Sequence, residues 1–169
     1  MKNQDYLYLD HAASTPMRTS ALEKYVEAES FGFANSSGGH KLSRDSKNLL
    51  EDSREKIAGL FNAAPGEIIF TSGGTEADNW TIKSLFESKK PDDNLVTSNI
   101  EHEAVLASAE WVSINGYQTK YAKSDENGFV SKDEFLNQID DNTKVASLMW
   151  GNNETCLLYT SPSPRDMWT

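Results

Sequence analysis

The segment Glu67-Ile-Ile-Phe-Thr-Ser-Gly-Gly-Thr-Glu-Ala-Asp-Asn79 limits the choice of fold more than any other. Its brief apolar run, Ile68 to Phe70, has β-favouring side chains and predicts a short buried strand. Gly73 and Gly74 allow a tight turn and the close approach of a ligand. Thr75 is suited to cap the helix that follows, and Glu76 sits favourably in its first turn. The unpaired N–H groups and dipole of such a helix start suit a phosphate. A glycine junction that binds nothing is the plain alternative. No Gly-Lys-Ser/Thr and no G-x-G-x-x-G pattern is present, which argues against a nucleoside triphosphate or a dinucleotide.

The rest of the chain alternates helix and strand patterns. Residues 19–30 read as a helix with Leu22, Tyr25 and Val26 on one face. Residues 43–62 read as a longer amphipathic helix, with Leu49, Leu50, Ile57, Leu60 and Phe61 facing a core and the stretch 63–66 ending it. Residues 75–88 form the helix after the glycine turn, broken at 89–93. Residues 94–97 read as a strand, 102–114 as a helix closed by Asn115-Gly116, and 117–121 as a strand. Ser131 opens a short helix through Ile139, with Glu134 placed for a capping box. Residues 144–149 are strand-like. Strands separated by helices imply a parallel sheet with crossover helices.

The 169 residues suffice for one domain with a real core. The net charge of −10 argues against nucleic acid or an anionic membrane as partner. The start lacks a signal-peptide pattern, and no apolar run approaches the ~20 residues of a membrane span. A soluble cytoplasmic protein is expected. One cysteine excludes a disulfide framework, and neither His11 nor His40 has a partner at metal-ligand spacing.

Four further segments accompany the glycine turn, in this order: Tyr8-Leu-Asp-His-Ala-Ala-Ser-Thr-Pro16, Asn35-Ser-Ser-Gly-Gly-His40, Asn99-Ile-Glu-His-Glu-Ala-Val-Leu106 and Trp150-Gly-Asn-Asn-Glu-Thr155. Together they resemble the class V aminotransferases, which use pyridoxal 5′-phosphate, and among these the cysteine desulfurases. Ser36 stands where that family has proline. The resemblance runs from about residue 6 to 155. It implies an α/β fold: the N-terminal part of the large domain of a fold type I pyridoxal phosphate-dependent enzyme. It implies that Gly74 and Thr75 hold the cofactor phosphate. His102 would stack on the pyridine ring and help move protons. Asn153 would contact the cofactor's phenolic oxygen and the substrate carboxylate, and Ala12 and Ala13 would line the substrate site. Without the motifs, His102 reads as a helix-start histidine with a local hydrogen bond, and Asn152 and Asn153 as turn residues.

For the whole protein the resemblance implies a homodimer that takes sulfur from L-cysteine, leaves L-alanine and passes a persulfide to a sulfur acceptor such as an iron–sulfur scaffold protein. A selenocysteine lyase, or another class V enzyme, is the neighbouring alternative. The lysine that links the cofactor, the aspartate that pairs with its ring nitrogen and the nucleophilic cysteine are all expected beyond this sequence. The chain as given is therefore expected to be inactive, a partly folded fragment that binds at most a phosphate being the other possibility.

Where the family continues with glycine, Thr155 is followed by Cys156-Leu-Leu-Tyr-Thr-Ser-Pro-Ser-Pro-Arg-Asp166 and then Met-Trp-Thr. This reads as a translated sequencing adapter, so 1–155 are expected to be a partial large domain and 156–169 a non-native tail. A divergent natural C-terminus is the alternative. Cys156 falls where the adapter begins and is rejected as a nucleophile.

Overall fold

The computed structural model describes residues 7–87, 90–155 and 157–158. They fall into two compact units, one ending at Phe70 and the other beginning at Thr71.

The first unit opens with a turn in which Ala13 and Ser14 both donate to the Asp10 carbonyl at 3.3 Å. Two helices follow, α1 (Thr19–Phe31) and α2 (Lys41–Phe61). His40 is the N-cap of α2 and accepts from the Ser43 N–H at 3.3 Å through Nδ1, a structural role. A Cβ on Gly38 would lie 2.3 Å from Ser43 Oγ, so only glycine lets this turn close on the start of α2. Asn62 ends α2 in the left-handed region at φ 53°, a conformation that asparagine tolerates.

Two expectations fail in this unit. The apolar stripes of α1 and α2 stay largely uncovered: Leu22, Tyr25, Val26 and Leu50 are exposed, as are Leu60 and Phe61, at 83% and 74%. A periodic stripe shows which face needs cover, but the covering element is a non-local fact. The run Ile68 to Phe70 is extended but belongs to no strand. It is held instead by α2: the Arg54 guanidinium donates to the Ile68 carbonyl and lies 4.9 Å from the centre of the Phe70 ring.

The second unit is a three-stranded parallel sheet in the order β2-β1-β3, with β1 (Asn94–Ser98), β2 (Gln118–Ala122) and β3 (Thr143–Ala146). The helices are α3 (Gly74–Leu85), α4 (Glu103–Ile114) and α5 (Lys132–Leu136). Central β1 is buried along its whole length, as a parallel strand covered on both faces must be. On one face Leu95 packs with Ile82 and Phe86 of the α3 region and with Val105, Ala109 and Val112 of α4. On the other, Ala122 and Val130 pack with Ile100, Phe135, Leu148 and Met149.

The polar residues of β1 need partners, and most have them. Asn94 donates to Asp140 Oδ1 at 2.8 Å and accepts from the Thr143 hydroxyl at 3.0 Å, while Lys120 pairs with Asp140 Oδ2 at 2.6 Å. This network closes the edge at which the strands begin. Ser131 caps α5 by accepting from Glu134 N at 3.1 Å, but Glu134 Oε1 turns to Lys123 N, so the reciprocal half of the expected capping box is not made. Most of the stretch 156–169 lies outside the described residues. Of the rest, Leu157 accepts from the Asn152 N–H at 2.9 Å, and Leu158 forms a bridge with Gly151.

Candidate functional site

Parallel strands send their following loops to the same edge. β1 ends at Ser98 and leads to His102, while β3 ends at Ala146 and leads to Asn153. The start of α3 comes to this edge as well. The carbonyl of Phe86, just past α3, accepts from the Tyr117 hydroxyl at 2.6 Å, and Tyr117 immediately precedes β2. The end of α3 thus lies where the strands begin. A helix of 12 residues spans about 18 Å. That carries its start to the edge where the strands finish, where open α/β sheets take their ligands.

The cap of α3 lies two residues before the expected one. Gly73, not Thr75, is the N-cap, and no side chain caps the helix. Gly74 and Thr75 are its first two residues, both exposed. A Cβ built on Gly73 or Gly74 meets nothing within 4 Å, so the space beside these two glycines is open. Glu76 turns back to the residue before the N-cap. Its Oε2 accepts from Ser72 N at 2.6 Å, and hydrogen bonds from Ser72 hold its carboxyl below the usual range.

His102 is the N-cap of α4, and its Nδ1 accepts from Ala104 N at 3.1 Å. The helix-start role read from the residue alone is therefore real, yet the ring is exposed at the site edge. With Nδ1 as acceptor, the neutral ring carries its proton on Nε2. Asn153 is exposed in the turn after β3, and no side-chain hydrogen bond holds it among the described residues. Its neighbour Asn152 is buried and does the structural work. Its Nδ2 donates to the Ile100 carbonyl at 2.9 Å, and its Oδ1 accepts from Glu154 N and Thr155 N, each at 2.8 Å.

Glu101 escaped the sequence reading. It is 7% exposed, and its Oε1 accepts from Ser98 Oγ at 2.9 Å and from Met149 N at 2.8 Å. Burial is the main reason its carboxyl is pushed up; the hydrogen bonds from Met149 and Ser98 oppose that, and the charge of Asp78 on α3 adds to it. A glutamate just before a helix-start histidine looks like an ordinary solvated acid, and only its burial marks it. The Thr97 hydroxyl, on the same face of β1 as Leu95, is fully buried without a partner among the described residues.

Ala12 and Ala13 lie in the first unit, exposed on the turn at Asp10, where Tyr8 meets the His11 ring edge-on at 5.1 Å. Among the described residues no group of three His, Cys, Asp or Glu is placed to hold a metal ion. None of their helices is long and apolar enough to cross a membrane. An uncapped helix start with open space, an exposed imidazole and an exposed amide on one sheet edge fit a ligand with an anionic end and a flat ring.

The family model for aminotransferase class-V matches residues 7–160. The cysteine desulfurase IscS of Methanosarcina thermophila is 38% identical over 149 residues, which are 88% of this chain and 37% of that protein. The chain thus spans less than two-fifths of that relative's length. Among solved structures, a NifS-like protein superposes with a TM-score of 0.80 at 32% identity, over 88% of this chain and 41% of that one. The structure titled SspA in complex with cysteine gives 0.78 at 34% identity, over 87% of this chain and 43% of that one.

Proposed function

The chain belongs to the aminotransferase class-V family, and from that premise we propose that it carries the cofactor-phosphate site of a pyridoxal phosphate-dependent cysteine desulfurase. The whole protein would take sulfur from L-cysteine, release L-alanine and pass the sulfur as a persulfide to an acceptor such as an iron–sulfur scaffold. It would act as a cytoplasmic homodimer. The curated relatives support the activity, and the NifS-like neighbours support the fold that carries it.

In this proposal the N–H groups at Gly74 and Thr75, with the Thr75 hydroxyl, bind the phosphate. His102 lies on the ring and holds a proton at Nε2. Asn153 offers its amide to the phenolic oxygen and the substrate carboxylate. When bound, the cofactor supplies the electron sink for chemistry at the substrate's α-carbon. The observation that carries the proposal is the uncapped start of α3, with open space beside Gly73 and Gly74.

The test compares two probes on the purified chain. One is 4′-deoxypyridoxine 5′-phosphate, which has ring and phosphate but no aldehyde to react with surface lysines. The other is inorganic phosphate. The phosphorylated ring should bind at least about tenfold more tightly, the equivalent of about 1.4 kcal/mol for ring contacts. Equal affinities, or no binding of either, would contradict the proposal.

A further inference from the structure

We propose that Glu101 is a positioning residue, a buried clamp that ties the loop after β3 to the loop after β1 and so sets Asn153 relative to His102. It deepens the site just described and rests on reading those two side chains as ring contacts. The bonds that carry it all converge on one stretch. Ser98, the last residue of β1, and Met149, in the loop after β3, both donate to the same oxygen, Oε1 of Glu101. From the other side, Asn152 Nδ2 donates to the carbonyl of Ile100. Two consecutive residues of one loop thus both accept hydrogen bonds from the other loop. His102 follows Glu101 directly and Asn153 follows Asn152 directly, so each ligand-facing side chain sits one residue beyond a bonded one.

The chemistry of the clamp is acceptance, not charge. Both donors meet at Oε1, so a proton can sit on Oε2 without breaking either bond. Burial pushes the carboxyl up, and the charge of Asp78 pushes it the same way, yet the bonded oxygen can be the same in either protonation state. A glutamine can make both contacts. An aspartate keeps the charge but is one methylene too short to hold both donors from the same backbone position. An alanine leaves two donors without a partner, one of them the fully buried Ser98 hydroxyl.

The experiment uses the whole chain, first without ligand, by nuclear magnetic resonance. Glu101→Ala and Glu101→Asp should each speed exchange of the Met149 amide by about fivefold or more, since its hydrogen bond is being removed. Each should also shift the Asn153 side-chain amide and the His102 ring signals. Methyl signals of Leu95 and Val112 in the core should hold, which separates loop uncoupling from loss of fold. Glu101→Gln should stay close to the wild type in all of these. If the alanine variant does not fold, the aspartate and glutamine variants decide the question. Unchanged Met149 exchange and Asn153 signals in the aspartate variant would overturn the clamp. So would a glutamine variant that behaves like the aspartate one, because charge would then be the active property.

The second arm adds the two probes. Glu101→Asp should lose about fivefold or more of its affinity for 4′-deoxypyridoxine 5′-phosphate while inorganic phosphate binding at α3 holds, the loss expected of about 1 kcal/mol. A parallel loss of both affinities would count against positioning. If the wild type shows no preference for the ring, the proposed function fails, while the ligand-free arm still decides whether Glu101 joins the loops.

Discussion

Asn152 and Asn153 are adjacent and chemically identical, and their substitution should separate structure from function. Asn152→Ala removes four hydrogen bonds: Nδ2 to the Ile100 carbonyl at 2.9 Å, a weak one from Nδ2 to the Met149 sulfur at 3.2 Å, and two N–H groups to Oδ1 at 2.8 Å. Each neutral bond contributes about 0.5–1.5 kcal/mol net. Glu154 and Thr155 are exposed, so their N–H groups regain water and sit at the low end of that range. The sum is a loss of about 2–3 kcal/mol. Asn153 is exposed, with no side-chain partner among the described residues, so Asn153→Ala should stay within about 0.5 kcal/mol of the wild type. Urea unfolding read by tryptophan fluorescence suits the test, because all four tryptophans lie after residue 70, in the second unit. At a slope of about 2 kcal/mol per molar, the Asn152 variant should unfold about 1 M earlier. Binding of 4′-deoxypyridoxine 5′-phosphate should fall in both variants. An Asn153 variant as unstable as the Asn152 one would refute the division of labour.

Other outcomes follow from the same structure. Thr75→Ala should weaken both inorganic phosphate and the phosphorylated ring about tenfold or more, since a bond to an anion contributes about 1.5–3 kcal/mol. His102→Asn retains a cap acceptor for α4 but has no imidazole ring, and it should weaken only the phosphorylated ring. Hydrogen bonds from Lys120, then Asn94, hold the Asp140 carboxyl well below its usual range. A group depressed on folding stabilises above its unfolded value, about 3.9, and loses that contribution as the pH falls through the folded value. The urea midpoint gap between wild type and Asp140→Asn should be constant from neutral pH to about 5 and shrink below about 4. A gap independent of pH would mean that the Lys120 pair carries no charge-dependent stability. The purified chain incubated with L-cysteine, pyridoxal phosphate and a thiol reductant should make no sulfide above the free-cofactor background, because none of its lysines matches the family's cofactor-linking lysine by motif.

Much of the second unit was legible because its signals are local. The apolar run of β1, the Asn115-Gly116 stop after α4 and the Ser131 cap of α5 each act through neighbours in sequence. The segment Ile68 to Phe70 shows where local signals fail. Its composition favours a strand, but a strand exists only through a partner, and the side chain that holds this segment is Arg54. The stripe of α2 fails for a similar reason: Leu60 and Phe61 mark a face without saying what covers it. At the site, the motif residues were visible, whereas their supports were not. Asn152 reads as a turn residue and is one, but its bond to Ile100 spans a wide sequence separation. Glu101 looks like a solvated acid until the fold buries it between Ser98 and Met149.

The most direct test of the central claim is a resonance-assigned titration of the whole chain with 4′-deoxypyridoxine 5′-phosphate, reading amide and side-chain shifts together. If the sheet edge is the cofactor site, the largest changes fall on the Gly74 and Thr75 amides, the His102 ring and the Asn153 side-chain amide, and inorganic phosphate moves only the first two. Saturable binding that leaves His102 and Asn153 unmoved, or that maps to the opposite edge around Asn94 and Asp140, would contradict it.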